Sequence, residues 1–566
     1  MIYIYPKTTG ELLSWDWEKL EPIVSGLLAT SIDSGNISEW VQNWSDFCRV
    51  VDEKYSRLYV DKTAYTADHD IEERFLFFLD HIYPKYLAAD QKLKEKLLAS
   101  GLVPENFELP LKKLKAEADL FRSENIALQT EEEKLNQEYD RIISAQTVVW
   151  EGAEITTTEL RKVYLDIKRE EREQAWRQAA SRQLSDRQMI NDLWQKQLNL
   201  RLKMAANADR PDYRTFRWQQ LKRFDYTPED CKRFGEAIEK KVVPAALKIY
   251  QRRQKRMGVD SLRPWDLLVD PLKRAPLRPF GNVEELTQKC RQIFHQVDPQ
   301  LGAYFDTLQK EGLMDLENRK NKAPGAYCTP FAFVRKPFVF CNVVGLHDDV
   351  QTLLHESGHA FHDFECSQLP YIQQASIPME FAEVASMGME LLASAYLDSE
   401  SGGFYSTPDA GRALVEHLEG LITFWPYMAV VDAFQHWVYE NPQKAIDPAE
   451  CDACWERLWD RFMPGQDWTG LEEEKKTGWQ RKLHILTLPF YYIEYGVAQL
   501  GAVQVWRNAL EDQEKAVKEY RNALSLGGTV SLPQLFEAAG ARFSFSESLL
   551  AQAVNWIEEK IEQIEK

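Results

Sequence analysis

Apolar residues never run long in this chain. The longest mostly apolar stretch, residues 420–431, is too short to span a bilayer and contains Pro426. Cysteine is scarce: eight residues are scattered over 566, which is not a disulfide framework. Positive charge is in deficit, with 69 Lys and Arg against 88 Asp and Glu and a formal net charge of −19. A nucleic-acid binder usually carries a basic face, so that class is excluded. The opening Met-Ile-Tyr-Ile-Tyr-Pro-Lys lacks the basic region, apolar run and small-residue cleavage site of a signal peptide. Together these absences predict a chain of the reduced cytoplasm with no nucleic-acid or membrane partner.

Strand signals are sparse as well. Residues 147–157 read as a hairpin turning near Gly152, and 325–328 and 338–344 read as two further strands. Most of the rest reads as helix. Residues 160–205 are rich in Glu, Lys, Arg, Gln, Leu and Ala and contain no Gly or Pro. Helical patterns also cover 38–59, 228–257, 407–439 and 546–564. The fold class expected is mainly α with a small sheet. Residues 1–190 read as an N-terminal helical region and 191–566 as the region that carries the chemistry.

That chemistry centres on residues 355–359, His-Glu-Ser-Gly-His. In a helix, positions i and i+4 lie about 40° apart, so His355 and His359 can reach one metal. Glu356 points about 100° away from His355, toward metal-bound water rather than the metal. Val350, Leu354, Phe361 and Phe364 form an apolar stripe on roughly the opposite face from the histidines. The pattern suits one wall of a cleft.

Catalytic zinc takes three protein ligands and an open position, so a third ligand is required. Glu383 is the choice, in a strong helical pattern over 378–392. Glu383 and Glu390 are seven apart and share a face, so one can bind metal while the other orients a ligand histidine. Asp363, four residues after His359, is a further supporting carboxylate. Glu380 lies one turn before Glu383, and spacing alone leaves it open. Glu365 would need a glycine at 362 to turn the chain, and this sequence has His362. The ligand types specify one Zn²⁺ per chain; cobalt or manganese could substitute.

Other features are set aside. Cys451 and Cys454 are a lone pair in a helical stretch, and His347, His417 and His436 read as surface or capping histidines. The seventeen tryptophans read as packing.

Several segments together resemble the oligoendopeptidase F and thimet oligopeptidase family. They are Pro-Gly-Ala-Tyr-Cys (324–328), Phe-Val-Phe-Cys-Asn (338–342), the histidine helix (349–362), Glu-Val-Ala-Ser (383–386) and the tyrosine-rich 484–496. The resemblance is clear from about residue 264 to 545. It implies a two-lobed helical, gluzincin-like fold with a deep central channel and a small sheet beside the active site. It implies a zinc endopeptidase acting on short peptides. It favours Glu383 over Glu380, and matches Glu390 to a carboxylate that supports the zinc site. It places His484 and tyrosines opposite the metal. Tyr492 and Tyr495 match two of them, although the spacing from His484 is shorter than in thimet oligopeptidase, which leaves Tyr491 in contention. It also supports Gly325, Ala326 and Tyr327 as an edge that pairs with the peptide backbone.

The mechanism expected has Glu356 as general base and His484 with Tyr492 or Tyr495 as oxyanion donors. Two alternatives remain: a zinc carboxypeptidase on the same metal site, and a non-catalytic peptide-binding protein. Glu356 counts against the latter, because metal binding alone does not need it.

Overall fold

The structure, a computed structural model, describes residues 3–157, 159–319 and 321–566. Helices dominate, and two small sheets accompany them. Five strands are β1 (Thr147–Trp150), β2 (Ala153–Thr156), β3 (Met314–Glu317), β4 (Tyr327–Phe331) and β5 (Lys336–Val343). Among the helices are α1 (Ile37–Ala64), α2 (Pro228–Lys241), α3 (His347–Cys366), α4 (Met379–Ala393), α5 (Thr407–Glu440), α6 (Ile493–Glu511) and α7 (Gln513–Ser525). No helix among the described residues is long and apolar enough to cross a membrane.

The chain forms two compact units interleaved in sequence. The first comprises Met1–Asp119, Arg278–Ala413 and Ala498–Phe543; the second comprises Leu120–Leu277, Leu414–Val497 and Ser544–Lys566.

In the first unit, α1 lays Trp40, Val41, Trp44, Phe47, Val50 and Val51 along one stripe against Phe75, Phe78, Leu93 and Leu97. The indole N–H of Trp44 donates to Asp90 at 2.8 Å, which satisfies a buried polar group. The three-stranded sheet has the order β3-β5-β4, with β3 parallel and β4 antiparallel to β5. The middle strand buries Phe338, Val339, Phe340 and Cys341 in succession, as a strand covered on both faces does. Its end turns into α3 through Gly345 at φ +90°, a conformation that favours glycine. The Asp349 carboxylate then accepts the backbone N–H groups of Val344, Gly345 and Leu346 at 2.7–2.9 Å, fixing the start of α3.

The second unit carries the hairpin as read, with Trp150 opposite Ala153 and positive φ at Glu151 and Gly152. Its tryptophans pack inward: Trp194 meets Trp479 at 5.3 Å and Trp455 meets Phe434 at 5.5 Å.

Three stretches differ from the sequence reading. Residues 160–205 are not one helix but a 3-10 segment (Glu159–Leu165) and two helices, Arg169–Ser185 and Arg187–Asn207. The break falls at Asp186, whose carboxylate takes a hydrogen bond from Gln146 at 2.9 Å and an ion pair with Arg182 at 2.6 Å. Residues 228–257 break at Val242, because Pro244 has no N–H to continue the ladder. Finally, Gly325 and Ala326 precede β4 rather than lie in it; Gly325, at φ +96°, turns the chain into the strand.

Candidate metal centre and a histidine–tyrosine cluster

In the first unit α3 and α4 approach closely enough to share a site. Gly358 permits this: a Cβ there would lie 2.6 Å from Ser386 Cα and 2.7 Å from Ala385 O, both backbone atoms of α4. The Tyr520 hydroxyl on α7 donates to Ala385 O at 2.7 Å and holds α4 from behind. Helix α4 is buried nearly all round, including Glu380, Glu383 and Ser386.

Across this contact, ligand atoms of His355, His359 and Glu383 gather within 4.8 Å of one another. Glu383 Oε2 lies 3.4 Å from His355 Nε2 and 3.7 Å from His359 Nε2. Ser386 donates to the same oxygen at 3.0 Å. Glu390 Oε1 sits 2.6 Å from His355 Nδ1, which leaves Nε2 toward Glu383. Glu380 is as buried but is not part of the group. Glu365 is engaged elsewhere, accepting from Arg521 Nε at 2.8 Å.

Electrostatics fit a bound cation. Burial opposes charge on His355, yet Glu383 and Glu390 raise its pKa well above the usual value. Positive charge is therefore favoured where His355 stands between two carboxylates. Burial pushes His359 down to about 4, so its imidazole is neutral with a lone pair to offer. Burial would raise Glu383, but the hydrogen bond to His355 and the two histidines bring it to about 2, so it stays a carboxylate. Two imidazole nitrogens and a carboxylate suit Zn²⁺.

Glu356 is 7% exposed and is not one of the gathered ligands. Burial raises its pKa to about 7, with His355 lowering it and Glu383 and Glu390 raising it. Its charge is felt by Cys328 on β4 and Cys341 on β5, so it faces the sheet side of α3. Asp363 is not hydrogen-bonded to either histidine; its oxygen takes the Cys328 thiol at 3.8 Å, and burial raises its pKa to about 7. Strand β4 is an edge of its sheet. The Tyr327 ring stacks on Phe340 at 4.7 Å and its hydroxyl meets Thr63 at 2.6 Å, which leaves backbone rather than side chain to offer a peptide.

In the second unit the His484 ring is surrounded by tyrosines. Tyr492 lies 4.9 Å away, and Tyr491 and Tyr495 each 5.7 Å away. The chain reaches this arrangement through Phe490, at φ +65°, an unfavourable conformation for an aromatic residue. Side chains hold it there. Gln435 accepts the Phe490 N–H at 2.6 Å, Arg223 donates to its carbonyl at 2.5 Å, and Arg217 donates to Pro489 O at 3.1 Å.

Sequence reasoning missed these supports, and it missed Lys482. The Lys482 ammonium lies 3.7 Å from the Tyr492 ring centroid and 5.4 Å from that of Tyr427. Burial lowers its pKa to about 7. A lysine two residues before the histidine was the available signal. His436 also departs from expectation: it is not a surface residue but 2% exposed in the second unit.

The sequence pattern of peptidase family M3 matches residues 165–554. The chain is similar to the oligopeptidase PepF of Bacillus subtilis (strain 168), 22% identical over 325 residues, which are 56% of this chain but only 46% of that protein. The match thus spans about half the length of that relative. Two solved structures are similar over 97% of both chains at 25% identity: a PZ peptidase A with an inhibitor, at a TM-score of 0.89, and an oligoendopeptidase F, at 0.88.

Proposed function

Because the chain belongs to peptidase family M3, we propose that it is a zinc-dependent endopeptidase that hydrolyses internal bonds of short peptides. The observation that carries this reading is the gathering of His355, His359 and Glu383 beside Glu356, a buried carboxylate outside the ligand set. His355, His359 and Glu383 hold the metal, and Glu390 fixes the His355 tautomer. Zinc, when bound, would lower the pKa of water and polarise the scissile carbonyl. Glu356, with a pKa raised to about 7 by burial, is tuned to take a proton from water and return it to the leaving amine. His484 with Tyr492 or Tyr495 donates hydrogen bonds to the oxyanion, a role that rests on the family resemblance. Backbone groups of 325–327 align the peptide.

The test is hydrolysis of an internally quenched peptide by wild type and Glu356→Gln, with zinc measured in both. The expected result is internal cleavage by wild type and full zinc in the variant, with kcat reduced by roughly 10²–10⁴-fold. A variant that keeps wild-type activity would remove Glu356 from the mechanism.

A second reading, stepwise trimming from the C-terminus, is favoured by Lys482. Its ammonium has no ion pair among the described residues, and a peptide carboxylate would supply one. Product analysis of one peptide as free acid and as C-terminal amide separates the readings. Internal cuts in both support the endopeptidase; single-residue losses confined to the free acid support the carboxypeptidase.

A further inference from the structure

A second cluster of metal-binding side chains lies in the second unit. Ligand atoms of Cys231, Asp432 and His436 lie within 4.8 Å of one another. They are 1%, 4% and 2% exposed. Cys231 stands in the first turn of α2, which begins at a capping box between Thr227 and Asp230. Asp432 and His436 are i and i+4 on α5 and therefore share a face. Their facing atoms, Asp432 Oδ2 and His436 Nε2, are 3.4 Å apart.

Polar satisfaction is what is missing. Asp432 Oδ1 and His436 Nε2 are buried and make no hydrogen bond. No lysine or arginine among the described residues pairs with Asp432. A buried carboxylate without a donor or a cation is costly, and the same holds for a buried imidazole nitrogen. The imidazole lies among apolar rings, 5.3 Å from Phe490 and 6.1 Å from Trp218, so solvent does not supply the partner.

We propose that Cys231, Asp432 and His436 form a second, structural metal site that takes Zn²⁺ or a similar borderline-soft divalent cation. Thiolate, carboxylate and imidazole are the donor types that Zn²⁺ prefers. Oδ1 of Asp432 makes no hydrogen bond and Oδ2 faces His436 Nε2, so a bidentate carboxylate would complete four donor atoms. Binding releases the thiol proton of Cys231. It also requires the imidazole proton on Nδ1. Arg214 Nη1 lies 3.4 Å from that nitrogen, but the short contact of Arg214 is to Glu440 at 2.5 Å. Metal binding therefore gives up the longer of these two Arg214 hydrogen bonds and keeps the one to Glu440. The metal ties α2 to α5 and has no part in hydrolysis.

Metal content and a cobalt spectrum test this independently of the catalytic reading. Wild type should carry two zinc ions per chain, and His355→Ala and Cys231→Ser one each. The His355, His359 and Glu383 site contains no thiolate. A thiolate-to-cobalt charge-transfer band in Co²⁺-substituted protein therefore reports the second site alone. The band should appear in wild type and His355→Ala and vanish in Cys231→Ser. Wild type and His355→Ala suffice for the spectrum should Cys231→Ser not fold. One zinc per chain in wild type with no thiolate band overturns the proposal, as does a second metal or a band that survives Cys231→Ser.

Discussion

At the residue scale, Gly358 carries two opposed effects whose sizes decide its role. Alanine in a helix interior is worth about 1 kcal/mol over glycine, so propensity favours Gly358→Ala. Against this, the added Cβ would stand 2.6 Å and 2.7 Å from backbone atoms of α4, which cannot rotate away. Overpacking of that kind costs about 1–3 kcal/mol and is relieved only by separating the helices. Separation carries Glu383 away from His355 and His359. Gly358→Ala should therefore lower Tm and speed zinc release, read by thermal melts and by transfer of zinc to a chelating dye. A melt no lower than wild type would show that α3 and α4 accommodate the methyl group. Residues 355–359 show in the sequence why two histidines belong together, because helical periodicity alone puts them on one face. The choice between Glu383 and Glu380 is not written in that periodicity. It depends on how α4 is rotated against α3, and that rotation is set by Gly358 on α3 and by the bond from Tyr520 on α7 to Ala385, so by residues of other helices.

At the scale of elements, the turn into α6 is held by a buried ion pair. Arg223 Nη2 meets Glu494 Oε1 at 2.6 Å, with side chains 1% and 2% exposed. The same guanidinium donates to Phe490 O, so it both neutralises Glu494 and restrains a residue at φ +65°. Arg223→Met takes the guanidinium away from the buried Glu494 carboxylate and should destabilise the protein by about 3–5 kcal/mol. Arg223→Met/Glu494→Leu removes both charges and should recover most of that loss. It cannot restore the donor to Phe490 O, so kcat should stay below wild type in the double variant while its melt approaches wild type. Recovery of both together would mean that Arg223 does not position the tyrosines. The sequence shows the cluster of tyrosines but not this support. Arg217, Arg223 and Gln435 lie some fifty to more than two hundred and fifty residues away, and no local pattern joins them to 489–495.

At the scale of the whole molecule, local periodicity showed the helical class, yet the two units interleave three segments each, and nothing local announces such long-range pairing. The first unit draws its N-terminal helices and the candidate metal-site helices α3 and α4 from stretches separated by more than 150 residues. Stability of those N-terminal helices should have its own pH dependence. Asp52 on α1 is half-buried near Asp90, and its pKa is raised to about 7, by desolvation first and Asp90 second, against the hydrogen bond from Tyr86 at 3.3 Å and the charge of Lys94. A carboxyl raised in the folded state binds its proton more tightly there than in the unfolded chain, where it titrates near the ordinary value of 3.8. Its contribution is complete below that value and is lost as pH rises to about 7, above which both states are ionised. Asp52→Asn resembles the protonated form at every pH. The two proteins should melt together near pH 4, and the variant should gain between pH 4 and 7 until its Tm stands higher by on the order of 2 °C, a gap that then stays constant. Melts across that range decide it: a gap that is absent at pH 8, or that opens toward acid, would show that Asp52 is ionised throughout and held by Lys94.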